Sequence, residues 1–427
     1  MTARFDKNLI QLLKLVRYNS LGFFFVSFII PIVAFLEFKA NGYEMGLLFS
    51  LQVLGATISA PVVGMIADKR DRRPKLIFTG SLGRMVAYLV IYFSIIVKSY
   101  WLMVFGTFSL GFAAGFFWSP LRAIVSDATE YRFRSEAFGI YNQQIGMGTF
   151  YGAFIGFGIL MMASEASLGS GGLFAGLLVY ALANLYAGIK ILRIAPAVTL
   201  VDIDREKAGI NELVSFKTVK TTRLRKNVFL FFIVLLGILF VESTVGALVA
   251  PFLEVFLLKN ITNDPVTMSL AYIPGGIVSM VAAPKLGEIA DRIKPAYVLP
   301  PASIIGAITT WLLINSTEIW QVTVLFTVDS TVIAFATVVI SKLMSNVSKN
   351  HRGSVFGFQG FLANLGGITG PLVGGVFWEI TGDRGPFLLS IGVEAVLALI
   401  YLVVLLFFLY EPVEEKRQKK VEPSSKT

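Results

Sequence analysis

The 427-residue chain has no cysteine and a single histidine, His351. Without thiols there is no disulfide, no thiolate nucleophile and no thiolate metal site. One histidine in a basic loop cannot supply a His-based metal set or a triad. No Gly-x4-Gly-Lys-Ser/Thr segment is present to cradle a nucleotide phosphate. These absences argue against an enzyme and against direct use of ATP, and no cofactor is called for. Charge is also scarce, at 15% of residues, whereas 55% are hydrophobic, 13% are aromatic and the mean hydropathy is +0.73. A soluble surface would not allow that balance.

The apolar residues fall in runs long enough to cross a bilayer, which takes roughly 20 residues each. Spans are expected near 15–38, 44–66, 75–97, 100–124, 136–163, 170–193, 227–257, 265–289, 297–316, 318–342, 353–380 and 384–410. That makes an all-α membrane protein of twelve transmembrane helices, six in each half. With the N-terminus inside, only Lys39, Lys98, Lys259 and Arg384 of the 37 basic residues lie in or beside outer loops. The remainder follow the positive-inside rule, which places both termini in the cytoplasm and the chain in the cell membrane. The net charge of +10 is thus a topological signal, scattered over short loops rather than gathered on one face for nucleic acid.

Residues 1–17 carry Arg4, Lys7, Lys14 and Arg17 and lead into an uncleaved first helix. The division is an N-terminal bundle over 1–193, a cytoplasmic linker over 194–226, a C-terminal bundle over 227–410 and a disordered cytoplasmic tail over 411–427. The linker opens at Pro196 and mixes acidic with basic residues. Within it, 208–219 reads equally as an amphipathic surface helix or as solvated chain.

The two halves repeat one another. Gly64-x3-Asp68-Lys69 returns as Gly287-x3-Asp291-Arg292, and Arg134-x3-Phe138-Gly139-x8-Gly148-x3-Gly152-x3-Gly156 returns as Arg352-x3-Phe356-Gly357-x8-Gly366-x3-Gly370-x3-Gly374. A duplication that keeps both loop charges and helix glycines implies two similar bundles facing across a central path.

On these residues the chain resembles a twelve-helix major facilitator superfamily transporter, and within that family its drug:proton antiporter-type members. The most specific element is Gly64-x3-Asp68-Lys69-x-Asp71-Arg72-Arg73, which is similar to the family's Gly-x3-Asp-basic-x-Gly-basic-basic loop, with Asp71 standing where the family has glycine. The resemblance implies a cytoplasmic latch that holds the outward-open state. Asp68 would accept from amides at the start of the eleventh helix near Gly353 and Ser354, and Arg122 would help to hold it. In the second copy Asp291 would face Ser135 and Glu136, with Lys342 comparable to Arg122. The antiporter element Gly-x8-Gly-x3-Gly-Pro-x2-Gly-Gly of the fifth helix has Ala153 in place of proline here, and the full pattern sits in the eleventh helix, at Gly366 to Gly375. These stripes also read as plain helix packing.

Ionisable groups in spans are costly and mark function by default. Glu242 and Asp329 are the candidates for proton coupling, because the family's first, fourth, seventh and tenth helices line its cavity. Asp329 lies about eleven residues, or roughly 16 Å, from the outer end of its span. The alternative is a permanently ionised or paired group. Arg84, Glu394, Glu37, Glu254 and Glu379 are weaker candidates, and Glu394 has no role legible from sequence. Trp118, Tyr141, Asn142, Gln143, Gln144, Tyr272, Gln359 and Asn364 are the candidate cavity lining, aromatic walls with few polar anchors that suit an amphiphilic organic molecule. The expected function is secondary active transport by alternating access: proton-coupled export of hydrophobic or cationic compounds by a monomer in the bilayer. The alternatives are metabolite uptake or uncoupled diffusion and, more remotely, a non-transporting sensor.

Overall fold

The computed structural model describes residues 5–129, 134–207, 226–293, 297–347 and 352–409. Among them every regular element is helical: α1 (Lys7–Asn19), α2 (Phe23–Leu36), α3 (Gly42–Ala67), α4 (Arg73–Ile96), α5 (Tyr100–Asp127), α6 (Arg134–Glu165), α7 (Ser170–Leu173), α8 (Gly176–Lys207), α9 (Lys226–Asn260), α10 (Pro265–Leu270), α11 (Tyr272–Arg292), α12 (Leu299–Ile314), α13 (Ile319–Val347), α14 (Arg352–Thr381) and α15 (Gly385–Leu409). Ten spans are long and apolar enough to cross a membrane, α1 and α2 together forming the first, and two shorter apolar helices, Pro265–Val278 and Leu299–Ile314, stand at the eighth and ninth positions. Helices satisfy their own backbone groups, which is what a chain this apolar requires in lipid.

Three boundaries differ from expectation. The first helix begins at Lys7 and breaks before Phe23, because Leu9, Leu12, Leu13 and Val16 are buried in the bundle and hold the early turns. The sixth span does not stop at Pro196. It runs as α8 to Lys207, since Ala195 and Val198 pack into the same cluster as α1 and packing outweighs the hydrogen bond lost at proline. The eighth span is split into α10 and α11, with Asp264 capping α10 through the amides of Val266 and Thr267. The segment 208–219, the tail and His351 lie outside the described residues.

The repeated glycines have the same use in each half. Added methyl groups at Gly148 and Gly152 would run into the backbone of Arg17 and Leu21 at the α1–α2 break, and at Gly366 and Gly370 into α9 at Ser243 and Thr244. Close backbone approach at small residues drives association where lipid offers no hydrophobic gain.

Three apolar clusters show how the bundles meet. One is shared: Phe28, Ile32 and Val33 of α2 join Phe252 and Phe256 of α9 and Trp378 of α14. The other two are separate, one confined to the N-terminal half around Leu12, Phe117 and Tyr141, the other to the C-terminal half around Leu239, Ile340 and Leu397. The shared cluster lies at the face opposite the basic 68–73 loop. There the Gly42 amide donates to Glu379 at 2.6 Å, and the Ser50 hydroxyl donates to the Ile368 carbonyl at 2.7 Å. Nearer the basic face α3 packs instead on α5, and a methyl group added at Gly64 would meet nothing within 4 Å. The molecule is sealed at the face opposite the basic loop.

Arg84 anchors the interior of the N-terminal bundle. Its buried guanidinium donates to the Asn184 side chain at 3.1 Å, the Asn19 carbonyl at 3.0 Å and the Tyr88 hydroxyl at 3.2 Å, and lies 5.1 Å from the centroid of the Phe23 ring. Arg84→Ala leaves three acceptors and a void, and is expected to cost ~3 kcal/mol. A lowered midpoint of thermal unfolding in detergent, followed by tryptophan fluorescence, checks it; an unchanged midpoint contradicts the anchoring role.

Candidate functional site

In the C-terminal half, α9, α12, α13 and α15 enclose a cavity of about 410 Å³ lined by Glu242, Asp329, Glu394 and Tyr401. The Tyr401 hydroxyl donates to Glu242 at 2.8 Å, Thr309 Oγ1 donates to Asp329 at 3.2 Å, and the Ser390 hydroxyl donates to Glu394 at 3.4 Å. The second oxygen of Glu394 is buried without a hydrogen-bond partner. Its room comes from Gly306, where an added Cβ would stand 2.8 Å from that oxygen. No lysine or arginine lines this cavity. Among the described residues no set of three acidic or histidine side chains is disposed to ligate a metal ion.

Glu242 and Asp329, picked out separately by sequence, are therefore brought together, and Glu394 joins them. The signal for Glu394 was present in its cost: a carboxylate within a span. Which cavity it entered depended on the register of α15 against α12. The two half-interiors are opposites. By the offset relating Gly64 to Gly287, Glu242 is the counterpart of Asn19, which accepts from Arg84 in the N-terminal half.

A second cavity, about 320 Å³, lies in the N-terminal half between α2, α5 and α6, with Phe23, Trp118, Arg122, Phe138, Tyr141 and Asn142 on its walls. The Trp118 and Tyr141 rings meet edge to face at 6.0 Å. A third, about 720 Å³ and mostly apolar, runs between the halves from Asn142, Gln143 and Gly146 of α6 to Tyr272 and Gly276 of α11. Five of the eight expected lining residues thus face these two spaces. Gln144 does not: it is buried and accepts from Arg17 at 2.6 and 3.1 Å, tying α6 to α1. Gln359 and Asn364 are half-buried or less and line none of the three cavities.

The expected latch is not closed here. Asp68 is exposed, as are Lys69 and Arg72, and Asp68 makes no ion pair or side-chain hydrogen bond among the described residues. Arg73 instead pairs with Asp127 at 2.7 Å and donates to the Ala67 carbonyl at 2.7 Å, and Arg70 approaches Asp127 at 3.7 Å. Arg122 lines the aromatic cavity rather than holding Asp68. The side chains of Asp291, Arg292, Lys342, Ser135, Glu136 and Ser354, like the surroundings of Gly287 and Gly353, lie outside the described residues.

At the sealed face two of the remaining carboxylates are tied to neighbours, and Glu254 keeps one buried oxygen without a partner. Glu37 pairs with Lys98 at 2.9 Å, Glu379 accepts from the Gly42 amide, and the buried Glu254 accepts from Tyr272 at 3.2 Å.

Comparison with known proteins places this architecture. A family model described as Major Facilitator Superfamily matches residues 18–368 and 298–426. The chain is 25% identical over 357 residues to a multidrug resistance protein MdtG of Salmonella paratyphi C, covering 82% of each. It is 30% identical over 163 residues to the MdtG of Citrobacter koseri, covering 36% of this chain and 39% of that one. Among solved structures it is similar to the nucleoside transporter NupG, with TM-score 0.65, 17% identity, and 93% and 99% of the two chains covered. The fold is shared too with a bacterial homologue of the lysosomal transporter Spinster in an inward-facing, occupied conformation, at TM-score 0.61, 15% identity, and 94% and 95% coverage. The molecule is a multi-pass membrane transporter of small molecules and not an enzyme. From its loop motif, its duplicated bundles and the match along nearly its whole length, the chain belongs to the major facilitator superfamily.

Proposed function

We propose that this transporter exports hydrophobic or cationic compounds in exchange for protons, with Glu242, Asp329 and Glu394 as the proton-carrying group. The cavity these residues share carries the proposal. Three unpaired negative charges in a membrane interior are not a stable arrangement, so a cavity with no basic lining is built to hold positive charge. Protons fit it better than metal ions, given the absence of a ligating set among the described residues. The MdtG relatives, described as multidrug resistance proteins, support the substrate class.

In the cycle, the halves 1–193 and 227–410 rock about a central site, joined by the linker 194–226, whose residues 194–207 extend α8. By the positive-inside rule the basic face, with both termini, is cytoplasmic, and the sealed face described above is the outer one. Closing the basic face would bring Asp68 toward the start of α14 and re-form the latch. A single chain carries both halves, and the monomer is the working unit.

Purified protein in liposomes holding a pH-sensitive dye tests the proposal. With a proton gradient imposed, added lipophilic cations are expected to trigger proton movement absent from empty liposomes. A silent dye alongside measurable uptake of a labelled metabolite would overturn export and favour an uncoupled carrier.

A further inference from the structure

We propose that Glu254 is the proton site of the outer seal: it takes a proton from the outer side as the two halves close there and gives it back as they part. The inference rests on the rocking of the halves described above and not on the cavity of Glu242, Asp329 and Glu394. Glu254 stands near the outer end of α9 and is only 9% exposed. One carboxylate oxygen accepts from the Tyr272 hydroxyl at 3.2 Å, and the other is buried with no hydrogen-bond partner. The charged groups of the surrounding elements are engaged elsewhere. Lys259 of α9 pairs with Asp383 at 3.5 Å, Lys98 pairs with Glu37 beyond α2, Asp264 caps α10, and Glu379 of α14 accepts from the Gly42 amide. On α13, Asp329 accepts from Thr309, and Glu318 just before that helix accepts from the Trp320 ring nitrogen at 2.8 Å. Tyr272 is the titratable group that meets Glu254, and no lysine or arginine pairs with it among the described residues. A buried carboxylate charge with no cation is too costly to keep, and such a group neutralises instead. The sealed state therefore holds Glu254 as the acid.

The duplication supplies an internal comparison. Phe35-Leu36-Glu37 and Phe252-Leu253-Glu254 are the same tripeptide in the two halves. Glu37 is partly exposed and has Lys98 at 2.9 Å, so it can stay ionised. Glu254 has a hydroxyl in place of the cation. What keeps water from it is the seal itself. The Tyr272 ring centroid lies 4.5 Å from that of Phe326 in its own half, and 5.5 and 6.0 Å from those of Phe24 and Phe28 in the other half. Phe252 and Phe256, on either side of Glu254, belong to the cluster that the halves share. Parting the halves takes Phe24 and Phe28 off Tyr272 and admits water to the carboxylate, where its charge is hydrated. Proton affinity is thus higher in the sealed state, which gains on the open one as outer pH falls and loses as it rises. The proton returns to the side it came from, so Glu254 sets the response of the seal without adding to the protons exchanged for cargo.

The test is the distance between spin labels at Lys39→Cys and Asn263→Cys, followed against pH in nanodiscs, in the full chain carrying Glu242→Gln, Asp329→Asn and Glu394→Gln. The sealed population is expected to grow as pH falls, the ratio of sealed to open changing by up to about tenfold per pH unit. Adding Glu254→Gln, which keeps the acceptor for Tyr272, should leave the face sealed with no dependence on pH. Glu254→Met, of similar size and without a proton, should do the same. Glu37→Gln should leave the titration as it was. A flat titration before Glu254 is changed, or a pH dependence that survives in both Glu254 variants, overturns the proposal. The cavity carboxylates are absent throughout, so the result is separable from that of the proton-coupling assay.

Discussion

Asp329→Asn is expected to cut accumulation against a gradient sharply while leaving substrate exchange intact. Asparagine keeps the size of the side chain and can still accept from Thr309, whose hydroxyl lies 3.2 Å from the native carboxylate. What it removes is the exchangeable proton. If proton and cargo are linked by the usual allosteric coupling of about 1–3 kcal/mol, gradient-driven transport should fall by roughly 5- to 150-fold. Glu394→Gln should act in the same direction, since its unpartnered oxygen shares the cavity. Glu37→Gln, which breaks only an ion pair with Lys98 at the sealed face, serves as the control. Counterflow and net uptake measured side by side in proteoliposomes distinguish the cases. Full net transport in both cavity variants would remove the carboxylates from the coupling mechanism.

The second large effect is conformational. Gly375→Leu should wedge open the sealed face, because a Cβ there would stand 2.5 Å from the Gly42 carbonyl and 2.9 Å from the Tyr43 Cα, on the other half of the molecule. Overpacking of this kind costs about 1–3 kcal/mol, and all of it falls on the state in which α3 and α14 touch at this face. The equilibrium then moves toward the state closed at the basic face. The chain has no cysteine, so spin labels report cleanly at introduced pairs. Labels at Lys39→Cys and Asn263→Cys span the sealed face, and labels at Lys69→Cys and Tyr297→Cys span the basic face. The first distance is expected to lengthen and the second to shorten. If neither moves, the contact is not part of the switch.

Much of this architecture was legible before any coordinates. Loop charges gave orientation an expectation, apolar runs gave the spans, and the Gly148 and Gly366 stripes pointed to close helix packing, which is where the structure uses them. The site was legible only in its costs. Glu242, Asp329, Glu394 and Arg84 each stood out as ionisable groups within spans, but which of them meet depends on how one helix is rotated against another. In membrane helices periodicity cannot reveal that, because lipid-facing and core-facing positions are both apolar. For the same reason Gln144 read as a cavity residue and proved to be a partner of Arg17. Pro196 read as an end, yet burial of Ala195 and Val198 carries the helix past it. The latch motif was recognisable, but sequence does not say which conformation is occupied, and Asp68 is exposed in this one.

The most direct measurement is proton release on substrate binding, made on purified protein in weakly buffered detergent with a pH dye and no gradient. Addition of tetraphenylphosphonium should release protons from the wild-type protein. The combined Glu242→Gln, Asp329→Asn and Glu394→Gln variant should bind the cation and release none. Equal release from both proteins, or binding to the wild type with no release at all, would contradict a proton-carrying cavity in the C-terminal half.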